Sequence, residues 1–509
     1  MSNLEDSRKF EIQNLLDTSK KSQDKDKNKI YQLSNPVVYY SALVEKSLIF
    51  FIFGIICYQI GFYIDIFCNN NKLNCSIKSK KVLQANMNSI NYILSILAFL
   101  TYPLTVEYDN KAVYNISKLM FAVSILLFCF GGFWGMYLGR ILMGFFAEYS
   151  HVYAHWMIYQ IALPQHREAA VATMMISMSF YMTGFCYFSY LDGGGHWTWR
   201  VVNSVPAVML ILMVFVDFTL LRNVNGFEYL LQNMTKKEVI EQLSTYFEEG
   251  TAELMLLNNQ VRKPRLQNRG IEVLSEESNR EEASVWQKIK DKRSQIINCS
   301  IIAVCFMFGL SDPFITNSVF IGSHLLVNTK DVKASKLMMF YGSVGFLITS
   351  IILPILKLNK KRKLLFILSM LVSPLCYVIS ALGYKLNQLW LVRSTYIPIA
   401  VANGFLYNSY LLYVADLCSM DVISIPLVSL RLILALTQYL LPVFMSFEES
   451  DKSQISARFY VLATISGVST LIAQFVMIET DGLAPDEIEK AVKGHNLGVR
   501  STEIAERDF

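Results

Sequence analysis

The strongest constraint on the fold is a series of apolar segments, each close to the ~20 residues with which an α-helix crosses a bilayer. Backbone polar groups inside lipid must be satisfied within the protein, so segments of this kind form helices. They lie at residues 47–68, 84–105, 113–131, 134–161, 169–190 and 200–221, and again at 294–325, 335–356, 363–384, 389–416, 422–446 and 457–478. The sequence therefore predicts an all-α polytopic membrane protein with twelve transmembrane helices in two six-helix bundles.

Composition supports this class and excludes others. Of the 509 residues, 53% are hydrophobic and 17% are charged, which is too apolar for a typical soluble enzyme. The net charge of +5 is spread over tails and loops and gives no basis for nucleic-acid binding. The sequence has no P-loop, no GxGxxG after a strand and no serine nucleophile elbow, so it predicts neither an enzyme nor a bound cofactor.

Polar stretches divide the chain into domains. Residues 1–46 are predicted to be a disordered cytosolic tail, and residues 222–292 a cytosolic linker between the bundles at 47–221 and 293–478. Residues 479–509 form a cytosolic C-terminal tail. In the linker, Thr235 to Glu238 has the form of a capping box, and apolar residues at helical spacing follow, which predicts a short amphipathic helix. The linker either only joins the bundles or also has a regulatory or docking role.

The fourth span carries an unusual number of ionisable residues. With about 100° per residue, Arg140, Gly144, Glu148, His151 and His155 fall within an arc of about 80° on one side of the helix. Polar groups cost free energy in lipid, so we expect this stripe to face other helices or a wet cavity.

A metal site is one interpretation of the same stripe. Glu148, His151 and His155 have the spacing E-x2-H-x3-H, and histidines one turn apart can share a metal ion. The sequence has no HExxH motif and no second cluster of cysteine and histidine. We therefore expect the histidines to line a polar cavity without a metal.

Two sets of six spans joined by a cytosolic linker are also the layout of the major facilitator superfamily. The fourth span resembles that of its sugar-porter and organic-ion branches, where a Gly-Arg pair is followed by Gly, Glu and Arg at fixed spacing. The corresponding positions are Gly139, Arg140, Gly144, Gln160 in place of Glu, and Arg167.

Residues outside the fourth span extend the resemblance. The Trp199-Arg200 pair precedes the sixth span, and Asp416 resembles the acidic residue that closes the tenth span. The resemblance implies that these residues have gating or structural roles.

The chain also departs from the family pattern. After the second span it has TYPLTVEYDNKAVYN, which keeps little of the basic signature of the cytosolic gate. In the seventh span, Cys305 and Phe306 replace the glutamine pair that holds a sugar. The resemblance therefore implies the fold more strongly than it implies a hexose as solute.

Two acidic residues are candidates for coupling. The resemblance implies that Asp65 is the partner of Arg140, because proton-coupled sugar porters pair an acidic residue of the first span with this arginine. Asp312 stands next to Pro313, which predicts either a helix break that coordinates a cation or a kink near the outer surface.

Two further charged residues lie in or beside apolar segments. Arg431 lies within an apolar run and needs a partner or a wet cavity, for which Asp416 and Gln438 are candidates. Asp217 ends the sixth span and is interpreted as an interface residue.

These features predict a secondary active or facilitative transporter that moves a sugar-like solute or an organic ion by alternating access, with proton coupling compatible with Asp65 and Arg140. The alternative is a transporter-like protein that has lost transport and acts as a sensor or a structural membrane subunit. The expected partners are a small-molecule solute, protons and the lipid bilayer. The expected location is the plasma membrane, with an internal membrane as the alternative.

Topology is directly testable. Both termini and residues 222–292 are predicted to be cytosolic, because the linker and the basic cluster at 357–363 fall on one side when twelve spans are threaded. Lysines between residues 72 and 81 fall on the other side and are outweighed. A cysteine at Ser275 should react with an impermeant maleimide only after intact cells are permeabilised. Labelling of intact cells would overturn the assignment.

Overall fold

The computed structural model describes most of the apolar segments. The described residues are 33–52, 77–105, 110–163, 167–191, 196–222, 236–252, 292–310, 329–355, 361–418, 420–445, 452–480 and 485–496, with residues 224, 230, 234 and 290. All regular secondary structure within these ranges is helical. The prediction of an all-α protein is confirmed.

Apart from the first helix, the helices of the first half follow the predicted spans closely. They are α1 at 36–52, α2 at Ile77–Thr105, α3 at Asn110–Phe130, α4 at Gly132–Ile161, α5 at Arg167–Leu191 and α6 at His196–Thr219. Within the predicted linker, α7 spans Lys236–Leu243, directly after Thr235, the first residue of the capping-box sequence.

The second half repeats this arrangement. Its helices are α8 at Arg293–Phe308, α9 at Thr329–Ile355, α10 at Arg362–Lys385, α11 at Leu389–Ser394, α12 at Tyr396–Leu417, α13 at Met420–Met445 and α14 at Lys452–Val476. The predicted tenth span is thus divided at Thr395 into α11 and α12. A further helix, α15 at Pro485–Asn496, lies in the predicted C-terminal tail.

Several helices present an apolar surface suited to lipid. Among the described residues, four stretches are long and apolar enough to cross a membrane: Lys111–Phe130, Leu337–Ile355, Arg362–Lys385 and Ser453–Val476. Shorter apolar stretches are Ser89–Thr101, Ala169–Gly184, Ser204–Thr219, Arg293–Phe308 and Ile425–Leu441. Large apolar side chains on their outer faces are exposed, as at Phe475 (75%) and Phe218 (65%), which suits hydrocarbon and not water.

The predicted boundary between the N-terminal tail and the first bundle is wrong. α1 begins at residue 36 and not at residue 47, and Tyr39, Glu45 and Lys46 within it are buried. The charged and polar residues of this segment led to its assignment to the N-terminal tail. The structure explains the difference, because both charges are neutralised by residues of α3 and α6.

Helix contacts define which elements are enclosed. In the first half, α4 packs on α2, α3 and α5, and α3 also packs on α6. In the second half, α12 packs on α8, α9 and α10. Contacts between the halves run from α2 to α13, and from α5 to α9 and α12. Polar side chains on α4 and α12 are therefore shielded from lipid by neighbouring helices.

Two glycines allow α4 to approach its neighbours directly. A Cβ atom on Gly144 would overlap the carbonyl oxygen of Asn91 in α2. A Cβ atom on Gly139 would lie 2.6 Å from the backbone nitrogen of Phe128 in α3, closer than real Cβ contacts allow. Both glycines of the family-like motif therefore have a packing role.

The linker segment after α6 packs against the first half. The hydroxyl of Ser34 donates a hydrogen bond of 2.9 Å to the carbonyl oxygen of Ser244, and the rings of Tyr39 and Phe247 lie 5.7 Å apart. Burial raises the pKa of the neighbouring Tyr246 well above its usual range. In the C-terminal tail, α15 packs on α8 and α12. Parts of the predicted linker and of the predicted C-terminal tail are therefore folded against other helices.

The α2–α4 contact gives a sharp stability prediction. Gly144→Ala should destabilise the protein by at least ~1–3 kcal/mol, because the overlap with Asn91 is with backbone and cannot be relieved by a rotamer change. Gly184→Ala in α5 is the matched control, since a Cβ there meets nothing within 4 Å. Thermal melting of both variants in detergent measures the difference. Equal melting temperatures would contradict the close approach of α2 and α4.

Candidate transport site

The polar stripe of α4 lies inside the protein, as the sequence indicated. Arg140 and Glu148 are each 1% exposed, His155 is 3% exposed and His151 is 8% exposed. Gly144 faces α2. Ionisable groups enclosed in this way must find partners on neighbouring helices, because an isolated buried charge is strongly destabilising.

Glu148 forms a two-point ion pair with Arg431 of α13. The Nη2 atom of Arg431 donates a hydrogen bond of 3.0 Å to Oε2 of Glu148, and Nε lies 2.8 Å from Oε1. The guanidinium carbon also lies 5.9 Å from the centroid of the Tyr92 ring on α2. Both partners are buried. The pair therefore joins the first half of the chain to the second half through one charge-assisted hydrogen bond and a second close contact between the opposite charges.

Of the two candidate partners of Arg431, Asp416 and Gln438, Asp416 pairs with a different arginine. Asp416 lies in the last turn of α12 and pairs with Arg362 at the start of α10. The Nη1 atom of Arg362 also donates a hydrogen bond of 3.3 Å to the hydroxyl of Thr480. Sequence proximity favoured a partner within the same half. The actual partner, Glu148, belongs to the other bundle.

The two histidines differ in their surroundings. Nδ1 of His151 lies 3.6 Å from Oε2 of Glu148, and the His151 ring packs on Phe50 of α1 with centroids 4.5 Å apart. Nε2 of His155 has no hydrogen-bond partner among the described residues. Within the same ranges, no three His, Cys, Asp or Glu side chains are arranged to hold a metal ion.

Arg140 is among the largest fully buried side chains of the protein. Its guanidinium carbon lies 5.5 Å from the centroid of the Phe128 ring on α3, which gives it an aromatic contact. Asp65 and Asp312 lie outside the described residues. The pairing of Asp65 with Arg140 and the role of Asp312 therefore stay predictions.

The remaining motif residues lie near helix ends. Gln160 is buried in the last turn of α4, and Arg200 is half-buried in α6. Arg167 begins α5 and Trp199 lies in the first turn of α6, but their side chains are outside the described part of the structure. Their gating roles stay predictions.

A group of polar atoms that the sequence analysis missed lies on α12. The side-chain nitrogen and oxygen of Asn403 and the hydroxyl of Tyr410 are buried without a hydrogen-bond partner in the described part of the protein. Asn403, Tyr407 and Tyr410 share one side of the helix, and Phe306 of α8 packs on both tyrosines at 5.3 Å. These residues carry no charge, so the search for intramembrane ions passed over them.

Burying polar atoms without a hydrogen-bond partner costs free energy, which makes these atoms candidates for binding a solute. An unsatisfied buried polar group costs about 1–3 kcal/mol, so these groups mark a place where water or a solute can supply the partner. Oδ1 of Asn91 on α2 has the same status within the described residues. Candidate solute contacts therefore exist on both halves of the chain.

The helical architecture is that of a known family. The sequence profile of the Major Facilitator Superfamily matches residues 79–425, well over half of the chain. The chain belongs to the Major Facilitator Superfamily. It is an integral multi-pass membrane transporter and not an enzyme, as the sequence predicted.

Solved structures of the Major Facilitator Superfamily share the fold. The proton:xylose symporter XylE bound to 6-bromo-6-deoxy-D-glucose matches with a TM-score of 0.68 and 14% identity, covering 90% of this chain and 99% of that chain. The inward-open conformation of the xylose transporter XylE from E. coli matches with a TM-score of 0.58 and 13% identity, covering 89% and 99%. The predicted fold of twelve helices in two bundles is thereby confirmed. No curated protein sequence matches the chain significantly.

The cross-bundle pair of this superfamily member can be tested through charge balance. Arg431→Met leaves the Glu148 carboxylate buried and unpaired, so it should destabilise the protein by about 3–5 kcal/mol. The double variant Arg431→Met/Glu148→Gln removes both charges and should recover most of this loss. Thermal melting of the three proteins in one detergent measures it. A double variant no more stable than Arg431→Met would show that the two residues do not form a pair.

Proposed function

We propose that this transporter moves a small polar or ionic organic solute by alternating access and that the Glu148–Arg431 pair is the contact that opens and closes between its halves. The observation that carries the proposal is the position of the pair, with one partner on α4 and the other on α13. A transporter that exposes its site to alternate sides must break contacts between its bundles. A buried ion pair is suited to this role because it has two discrete states, paired and separated.

The same pair supports coupling to protons. Separating Glu148 from Arg431 leaves each charge without its partner, which is unfavourable in a dry interior. Protonation of Glu148 removes one of these charges and weakens its attraction to Arg431. The imidazole of His151, 3.6 Å from the carboxylate, provides a neighbouring group that exchanges protons. Proton binding at Glu148 would therefore favour separation of the halves.

The solute class follows from the unsatisfied polar atoms. The amide of Asn403 offers both a donor and an acceptor, and the hydroxyl of Tyr410 offers either. Aromatic rings of Phe306 and Tyr407 lie beside them. Uncharged groups of this kind suit a hydroxyl-rich solute, and the similarity in fold to the proton:xylose symporter XylE bound to 6-bromo-6-deoxy-D-glucose supports a sugar-like molecule. An organic ion is the second solute class, since Glu148 and Arg431 could each bind an opposite charge once separated.

The remaining proposed roles concern two acidic residues, the membrane and the polar segments. Asp65 and Asp312 are proposed to take part in coupling, with Asp65 as the partner of Arg140. The bilayer is the surrounding medium, and the plasma membrane is the proposed location. The linker is proposed to stay cytosolic together with both tails.

Uptake into liposomes tests this function. Purified protein should accumulate D-xylose, D-glucose or a quaternary ammonium ion when the outside is acidified relative to the lumen. Glu148→Gln mimics the protonated carboxylate, so it should lose at least about tenfold of gradient-driven uptake while solute exchange without a gradient continues. Glu241→Gln on the exposed face of α7 is the matched control and should behave like the parent.

The outcomes separate the alternatives. Equal gradient-driven uptake by the parent and Glu148→Gln would remove Glu148 from proton coupling. Binding of a probe without any flux would instead support the transport-inactive sensor. Loss of exchange as well as gradient-driven uptake would make Glu148 a structural residue.

A further inference from the structure

Four charged side chains form a buried cluster at the end of the first half where α1 and α3 begin and α6 ends. They are Glu45 and Lys46 of α1, Lys118 of α3 and Asp217 of α6, and none of their side chains is more than 3% exposed. We call these residues the four-charge cluster. It lies entirely within one half of the chain, unlike the Glu148–Arg431 pair.

The cluster is closed, with each lysine between two carboxylates. Nζ of Lys46 lies 2.5 Å from Oε2 of Glu45 and 3.1 Å from Oδ1 of Asp217. Nζ of Lys118 lies 2.7 Å from Oε1 of Glu45 and 2.5 Å from Oδ2 of Asp217. The charges sum to zero. Buried ions are tolerated when they are balanced and well hydrogen-bonded in this way.

Tyr114 of α3 completes the arrangement. Its hydroxyl donates a hydrogen bond of 3.2 Å to Oε1 of Glu45, and the ammonium groups of Lys46 and Lys118 lie 4.3 Å and 4.1 Å from its ring centroid. The Tyr114 ring also stacks on Tyr153 of α4, with centroids 4.5 Å apart. The cluster therefore joins α1, α3 and α6 and, through Tyr114, contacts α4.

Helix α1 connects the four-charge cluster to the candidate transport site. Phe50 lies one turn beyond Lys46 on α1, and its ring packs on His151 with centroids 4.5 Å apart. His151 in turn lies 3.6 Å from Glu148. The height and rotation of α1 therefore set where the Phe50 ring meets the imidazole.

We propose that the four-charge cluster is a clamp that fixes α1 to α3 and α6 and thereby positions Phe50 against His151. Lys118 and Asp217 are positioning residues, because they act on the transport site through α1. The clamp stays closed while the Glu148–Arg431 pair opens, so the first half moves as a unit. This inference rests on the proposed function only where it concerns transport.

Charge balance and helix exchange test the clamp without any solute. Lys118→Met leaves one carboxylate in excess, so backbone amides of residues 36–52 should exchange hydrogen for deuterium about tenfold faster, while those of α10 and α12 stay unchanged. Lys118→Met/Glu45→Gln restores neutrality and leaves Lys46 paired with Asp217, so exchange and melting should return towards the parent. Ser117→Ala is the matched control, since among the described residues the Ser117 hydroxyl donates its hydrogen bond to the carbonyl oxygen of Val113 in the same helix.

Two results would contradict the clamp. Unchanged exchange of residues 36–52 in Lys118→Met would show that Lys118 does not hold α1. If Lys118→Met does not fold, the double variant decides, and its failure to fold as well would overturn the role of charge balance. Both readouts stand even if the protein proves not to transport.

A transport readout separates positioning from bulk stability. Phe50→Ala and Lys118→Met should each change the KM or kcat of uptake, and the double variant should show no further loss because both act through the contact with His151. If the uptake losses of Phe50→Ala and Lys118→Met multiply in the double variant, the two residues do not act through one shared contact with His151. A parent without uptake would count against the proposed function alone, and the exchange data would still decide the clamp.

Discussion

Charges buried within a membrane-spanning interior must be balanced by partners, and this requirement organises the structure at two levels. Within the first half, two lysines and two carboxylates neutralise one another and join α1, α3 and α6. Between the halves, Glu148 and Arg431 neutralise one another and join α4 to α13. In the proposed mechanism the contacts within the first half stay fixed, while the contact between the halves opens.

Close helix packing makes these pairs possible. Gly139 and Gly144 bring α4 against the backbones of α3 and α2, which encloses the polar side of α4 within the protein. Enclosure raises the cost of separating an ion pair, because the freed charges find no bulk water. A side chain at Gly144 would widen the α2–α4 contact beside the polar stripe of α4. The family-like glycines and the ionisable stripe therefore serve one purpose on the same helix.

The sequence predicted the helices well because hydropathy over ~20 residues is a local property. It failed at α1, where Glu45 and Lys46 made the start of a buried helix look like a polar tail. The partners of those charges lie on α3 and α6, far away in sequence, and nothing local signals them. The same limit applies to Arg431, whose partner Glu148 belongs to the other bundle. The burial of the α4 stripe was predictable from its period, but the identity of its partner was not. Asn403 and Tyr410 were missed because uncharged polar residues are common in helices that pack on one another.

The central claim is that the Glu148–Arg431 pair controls the separation of the two halves. Spin labels at Trp134 and Trp390, which are 79% and 64% exposed near the starts of α4 and α11, report this separation by double electron–electron resonance. We expect the parent at neutral pH to show mainly one distance, and Glu148→Gln to shift a substantial fraction of molecules to a second distance. The same distance distribution in both proteins would contradict the account.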